Sequence, residues 1–177
     1  MAEVLNRFVQ TLRLKRDAFV WMDFNDRATG DALILVALTA IASFAGYFAG
    51  LRSLFNLDFV ELLIGVVLSS LIQWLLYSGI AWAIVRYGWK AEAEFSTYLR
   101  FTGFAYPTTL LTVVIALVLN RIGLLTLFLG FAWFIFIIGR GMEYASDLPR
   151  DKALVTAVGA LLGLIIVDTL LSLSPLT

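Results

Sequence analysis

The chain has 177 residues, 61% of them apolar and only 15% charged, whereas a soluble domain is about half apolar and about a quarter charged; a chain this short has too little interior to hide the excess, so a lipid bilayer is its expected solvent. Lys plus Arg number 13 and Asp plus Glu number 13, a balance that argues against a nucleic-acid partner, which needs a basic surface. Cys and His are both missing, which removes thiol chemistry, thiolate metal sites, imidazole bases and imidazole-ligated cofactors, so no metal, cofactor or catalytic residue is expected.

The first 20 residues, MAEVLNRFVQTLRLKRDAFV, mix charged and apolar positions and hold no apolar run of the kind that a cleavable signal peptide needs. Within residues 2–22, Val4, Leu5, Phe8, Val9, Leu12, Phe19 and Val20 fall on one helical face, with Arg7, Arg13 and Arg16 elsewhere. The pattern predicts an amphipathic helix flat on the cytoplasmic leaflet, anchored by Phe8 and Leu12, with Arg13 and Arg16 near anionic headgroups. The plainer alternative is a soluble helix docked on the protein's own loops. Residues 1–28 are therefore read as an N-terminal segment and 29–174 as one membrane domain.

A bilayer core of about 30 Å needs about 20 apolar residues per helix. Five stretches meet that test: 31–50, 59–85, 98–119, 122–139 and 152–173. The connections 51–58 and 120–121 are short enough to make their neighbouring helices antiparallel. Ser96 is a candidate cap for the third helix, and Pro149 breaks the chain before the fifth. No stretch alternates apolar and polar residues with period two, so a β-barrel is not expected. The predicted fold is a bundle of five transmembrane helices with an interfacial N-terminal helix.

Charge placement orients it. Arg7, Arg13, Lys15, Arg16, Arg27, Arg86, Lys90, Arg100, Arg140, Arg150 and Lys152 fall on one side of a five-span chain, leaving Arg52 and Arg121 opposite. Short-loop Lys and Arg stay cytoplasmic, so the N-terminus is expected inside and the C-terminus outside. With no signal peptide, the expected location is a bacterial cytoplasmic (inner) membrane.

Within the spans, Ala42, Gly46 and Gly50 recur every four residues in the first, and Gly159 and Gly163 form a GxxxG in the fifth. Small residues let helices approach closely in lipid. Such faces serve either a partner or dimer interface or packing inside the bundle, and the second is favoured because GxxxG is common in apolar helices. Pro107 interrupts the third span and is expected to kink it or mark its broken start, with Thr108 and Thr109 placed to satisfy freed carbonyls. Gln73 lies near the middle of the second span, while Glu61 and Asp168 lie nearer the outer ends of theirs. Ionisable groups at membrane depth are functional candidates. No chain of polar groups continues across the membrane, so the two acids are read as reaching the outer interface or pairing with Arg52 and Arg121.

The run YLRFTGFAYPTTLL (98–111), with Gly103, Phe104, Ala105, Tyr106 and Pro107, resembles the opening of the third helix in short bacterial members of the Yip family, the Ypt/Rab-interacting membrane proteins with a Yip-one domain. The stretch 131–163, with Trp133, Arg140, Glu143, Lys152 and Ala153, is similar to that family's fourth helix, basic loop and fifth helix. The resemblance implies five membrane helices with a cytoplasmic N-terminus. Eukaryotic members act in vesicle trafficking, bind small GTPases and are linked to membrane shaping, but they carry a larger N-terminal cytoplasmic domain than the segment seen here, so GTPase binding is not expected.

The function expected is non-enzymatic: a membrane-embedded scaffold or accessory subunit that packs against other membrane proteins and organises or shapes the bilayer. Its expected partners are membrane lipids and either a membrane protein or a second copy. The competing class is a transporter, channel or lipid-moving protein built on Pro107, Gln73, Glu61 and Asp168.

Overall fold

The structure is a computed structural model and describes residues 2–51, 59–112, 114 and 124–172. Every regular element among these is helical. In chain order they are α1 (Ala2–Leu12), α2 (Arg16–Phe24), α3 (Arg27–Leu51), α4 (Phe59–Ala83) and α5 (Phe95–Ala105), then α6 (Leu124–Ala145) and α7 (Arg150–Ser172). A π-turn, Ile84–Gly88, extends α4, and a 3-10 turn, Tyr106–Thr109, follows α5. The expected connections 51–58 and 120–121, with Arg52 and Arg121, lie outside the described residues, apart from Leu51 at the end of α3.

Three of the described helices are long and apolar enough to cross a membrane: Arg27–Ala45, Phe59–Gly88 and Arg150–Leu171. They match three of the predicted spans closely, because a run of about 20 apolar residues is the strongest local signal a chain can carry. Local residues set several ends. The Asn25 side chain accepts the Arg27 backbone N–H at 3.1 Å and so starts α3. Pro149 stands just ahead of α7, and its carbonyl accepts the Ala153 N–H at 3.0 Å.

Three local expectations are corrected. Residues 2–22 are not one helix: the chain turns at Leu14, whose φ is 54°, and splits the segment into α1 and α2. Ser96 does not cap α5; the helix begins one residue earlier, and the Ser96 hydroxyl donates to the Glu94 carboxylate at 2.6 Å. The third span begins at Phe95 rather than at residue 98, and α5 gives way to the 3-10 turn at Tyr106. Pro107, which has no N–H to give, sits in that turn. The Gly103 carbonyl that it leaves open accepts the Tyr106 N–H instead, and the Thr108 and Thr109 hydroxyls donate to the Ala105 and Tyr106 carbonyls at 2.7 Å each.

Helix α5 is the hub. It packs against α3, α4 and α6, and also against α1 and α2, and its residues from Arg100 to Ala105 are all buried. The core is correspondingly polar for so apolar a chain: Thr11, Thr39, Ser78, Thr97, Thr102, Thr108 and Thr156 are buried in it. The outside is the reverse. Rows of exposed apolar side chains run along α3 (Leu33, Ile34, Leu38, Ile41), α4 (Val60, Ile64, Leu68, Ile72, Leu75) and α7 (Val155, Val158, Leu162, Ile165, Ile166). Rows of this length do not stay exposed on a monomeric soluble protein, whereas in lipid they lie against hydrocarbon.

Candidate functional site

The most heavily bonded side chain in the described structure is Arg100 of α5. It is buried, yet its donors are matched. Nη1 donates to the Met22 and Asp23 carbonyls at 3.0 and 2.8 Å, Nε donates to the Thr29 hydroxyl at 3.0 Å, and Nη2 meets the Asp26 carboxylate at 2.6 Å. Those carbonyls lie in the last turn of α2, where unpaired acceptors and the negative end of the helix dipole favour a cation. The Asp23 side chain, in turn, accepts the Thr97 hydroxyl at 3.0 Å. One guanidinium thus fastens the α2–α3 turn to the hub helix. Sequence reasoning counted Arg100 only as a basic residue near a loop; a buried role has no local signal, since its partners are 71 to 78 positions away.

Polar groups inside the bundle are likewise spent on joining helices. The Trp74 indole N–H of α4 donates to Thr102 Oγ1 at 3.0 Å, and Ser78 Oγ lies 2.6 Å from the same oxygen. The Tyr77 hydroxyl donates to the Ala157 carbonyl of α7 at 2.9 Å. Tyr98 shares a hydrogen bond with Ser146 at 2.8 Å. Beyond the π-turn, the Trp89 indole donates to Thr156 Oγ1 at 2.8 Å, and the Lys152 ammonium stands 4.9 Å over its ring.

The small-residue positions divide. A Cβ on Gly163 would lie 3.1 Å from Ile80 Cγ2, and one on Gly159 would lie 3.5 Å from Ile84 Cδ1. The α7 glycines therefore receive α4 within the chain, and the pairing of +4 on one helix with +4 backwards on the other makes the two antiparallel. Ala42 is exposed on α3, and the surroundings of Gly46 and Gly50 lie outside the described residues. Gly103 marks the tightest approach: a Cβ there would stand 2.5 Å from Ala32 Cβ and 3.1 Å from Ala32 Cα. Phe104 beside it is fully buried, edge-on to Trp21 with ring centroids 5.9 Å apart.

Of the polar candidates, Gln73 and Asp168 come together. They line one groove of about 340 Å³ between α4 and α7, with Gly65, Leu68, Ser69, Ile72, Leu76, Leu164 and Leu171. Glu61 is exposed in the first turn of α4 and is not part of it. A second cleft, of about 360 Å³, opens at the basic end of the bundle among Asp23, Arg86, Glu92, Ala93, Glu94, Thr97, Tyr98 and Ala145. Among the described residues no group of three or more Asp or Glu side chains is placed to hold a metal ion.

The N-terminal helices lie at that same end. Val4, Phe8 and Leu12 pack against the core, and Thr11 is buried. Arg13 is exposed, as is Arg16, whose guanidinium lies 5.8 Å from the Tyr144 ring. Leu5, Val9, Val20 and Phe24 remain outside, Phe24 being 84% exposed.

The model of the Yip1 domain matches residues 9–171, nearly the whole length of the chain. The chain belongs to the Yip1 family. No curated protein and no solved structure matches it. Yip1-family proteins are membrane proteins and are not known as enzymes, which agrees with helices long enough to span a bilayer. Several of the positions on which the Yip resemblance rested make defined contacts. Gly103 and Pro107 shape the hub helix and its break. Arg140 pairs with Glu143, donates to the Tyr144 hydroxyl at 2.8 Å and lies 5.1 Å over that ring. Ala153 is buried, and Trp133 is exposed on the outer face of α6.

Proposed function

We propose that this Yip1-family chain is a non-enzymatic membrane scaffold or accessory subunit, which packs laterally against other membrane proteins and organises the surrounding lipid. One observation carries the reading. The buried polar side chains Trp74, Tyr77, Ser78 and Thr102 are engaged in holding helices to each other, while the outer faces of α3, α4 and α7 are broad and apolar. Such faces suit packing against helices and acyl chains. In this reading the chain crosses the bilayer five times, N-terminus inside and C-terminus outside, in a bacterial inner membrane. The positive-inside distribution supports it.

The N-terminal helix pair is the lipid-contacting device. Leu5 and Val9 of α1 project away from the core, and Arg13 and Arg16 are exposed beside them. This combination suits an anionic membrane surface. Because Phe8 and Leu12 touch the protein itself, Leu5 and Val9 are the discriminating positions. Leu5→Glu with Val9→Glu should free α1 from vesicles of anionic lipid, and trypsin should then cut at Arg13 and Lys15 severalfold faster. Phe8→Glu should instead lower thermal stability in any detergent. Unchanged cleavage of the Leu5/Val9 variant would contradict membrane contact by α1.

The competing reading, a transporter or lipid-moving protein, draws support from the meeting of Gln73 and Asp168 in one groove. Reconstituted vesicles separate the two. The scaffold reading predicts ion, solute and lipid flux no faster than in protein-free vesicles. Robust flux abolished by Asp168→Asn would overturn it.

A further inference from the structure

One stripe of α6 passes from charge to exposed aromatic surface. Trp133, Phe136 and Arg140 follow at spacings of three and four residues, which puts them on the same side of the helix. The two aromatic side chains are 39% and 40% exposed, with ring centroids 6.4 Å apart. Along the axis Phe136 lies about 6 Å and Trp133 about 10 Å from Arg140. At the charged end of the stripe, three guanidiniums from three helices gather. Arg140 pairs with Glu143, donates to the Tyr144 hydroxyl and lies over that ring. The Arg16 guanidinium of α2 stands 5.8 Å from the same ring. Arg150 of α7 brings Nε to 3.9 Å from the second Glu143 oxygen, too far for a hydrogen bond. Among the described residues Glu143 alone pairs with any of the three, while Asp17, Asp147 and Asp151 are exposed and pair with none.

This cluster differs from Arg100, whose donors the protein itself takes up. Arg140 gives the protein two of its five N–H groups, and among the described residues Arg16 and Arg150 donate no hydrogen bond. Arg16 and Arg150 are also the first residues of α2 and α7, where the helix dipole disfavours a cation and favours an anion. We propose that the three arginines bind the phosphate of an anionic phospholipid, whose acyl chain lies along Phe136 and Trp133. Guanidinium donors match phosphate oxygens in geometry and charge. Cations at one end and exposed rings one to two turns deeper follow the order of headgroup and chain in a lipid. A free phosphate would use the arginines alone, so the aromatic stripe is what assigns the site to a lipid. The proposal rests on the scaffold reading and gives its lipid-organising part a site.

The full chain in a neutral detergent, offered phosphatidylglycerol or phosphatidylcholine with the same acyl chains, provides the test. Native mass spectrometry counts the lipid retained, and phosphatidylglycerol should be held severalfold more. Arg16→Gln with Arg150→Gln should abolish that preference while the lipid-free melting temperature stays as in the parent, since neither side chain donates a hydrogen bond to the protein. Arg27→Gln with Lys90→Gln removes the same charge at exposed positions outside the cluster and should keep the preference. Phe136→Ser should lower phosphatidylglycerol retention severalfold, and inorganic phosphate should raise the melting temperature less than phosphatidylglycerol does. Equal retention of the two lipids, or a preference lost in the Arg27/Lys90 variant, would overturn the proposal. Equal stabilisation by inorganic phosphate, or retention indifferent to Phe136→Ser, would overturn the assignment to a lipid. Each of these results leaves the scaffold reading intact, and the flux measurement above is the one that removes it.

Discussion

Arg100→Ala is expected to unlatch the N-terminal helices from the bundle. The substitution leaves the Met22 and Asp23 carbonyls without their donor, and an orphaned acceptor costs about 1–3 kcal/mol when buried. It also opens a hole where the side chain lay. Trypsin should then cut at Arg13, Lys15, Arg16 and Arg27 far faster than in the parent, and the melting temperature in detergent should fall by several degrees. Arg100→Lys should recover only part of the loss, because a single ammonium cannot fork between two carbonyls, a threonine and a carboxylate. Asp26→Asn should matter little. Its side chain is almost wholly exposed, and an ion pair with so open a partner contributes weakly. If Asp26→Asn were as damaging as Arg100→Ala, the latch would be an ion pair and not a cap on the end of α2.

Gly103→Val is expected to be the most damaging single change in the membrane domain. Any Cβ at this position enters Ala32 of α3, against both its Cβ and its backbone. Backbone cannot give way as a flexible side chain can, and overpacking a well-filled interface costs about 1–3 kcal/mol, sometimes more. The expected outcome is loss of folded, extractable protein. The milder Gly103→Ala should be destabilising on its own and partly rescued by Ala32→Gly, a coupling that a double-mutant cycle measures directly. Gly65→Ala makes the control, since it faces open space and should be close to neutral. Additive effects of Gly103→Ala and Ala32→Gly would show that the two helices do not meet there.

The large features of this fold are written locally. Residues 59–85 and 152–173 were legible as helices because hydropathy over about 20 residues needs no knowledge of the rest of the chain; they became Phe59–Ala83 with its π-turn, and Arg150–Ser172. The break at Pro107 was legible for the same reason, since a missing N–H acts within four residues. The turn at Leu14 was not, because no Gly, Pro or Asn marks it and the apolar face runs on through it. The burial of Arg100 was not either. Its charge reads as an ordinary loop cation until α2 and α3 fold back over α5. The groove falls between the two cases. Gln73 and Asp168 each stood out as polar residues in apolar helices, but their meeting depends on the antiparallel register that Ile80 and Gly163 set.

That register, the polar ties inside and the apolar rows outside amount to one physical arrangement, a bundle surrounded by hydrocarbon on the faces of α3, α4 and α7. Spin labels on single cysteines at Ile64, Leu68 and Ile72 of α4, and at Val158, Leu162 and Ile166 of α7, read it most directly in reconstituted bilayers. Labels at these six positions should be relaxed strongly by dissolved oxygen and weakly by a water-soluble nickel chelate. Ready access of the nickel chelate to these positions, matching that at an exposed basic-end residue such as Glu92, would contradict the arrangement.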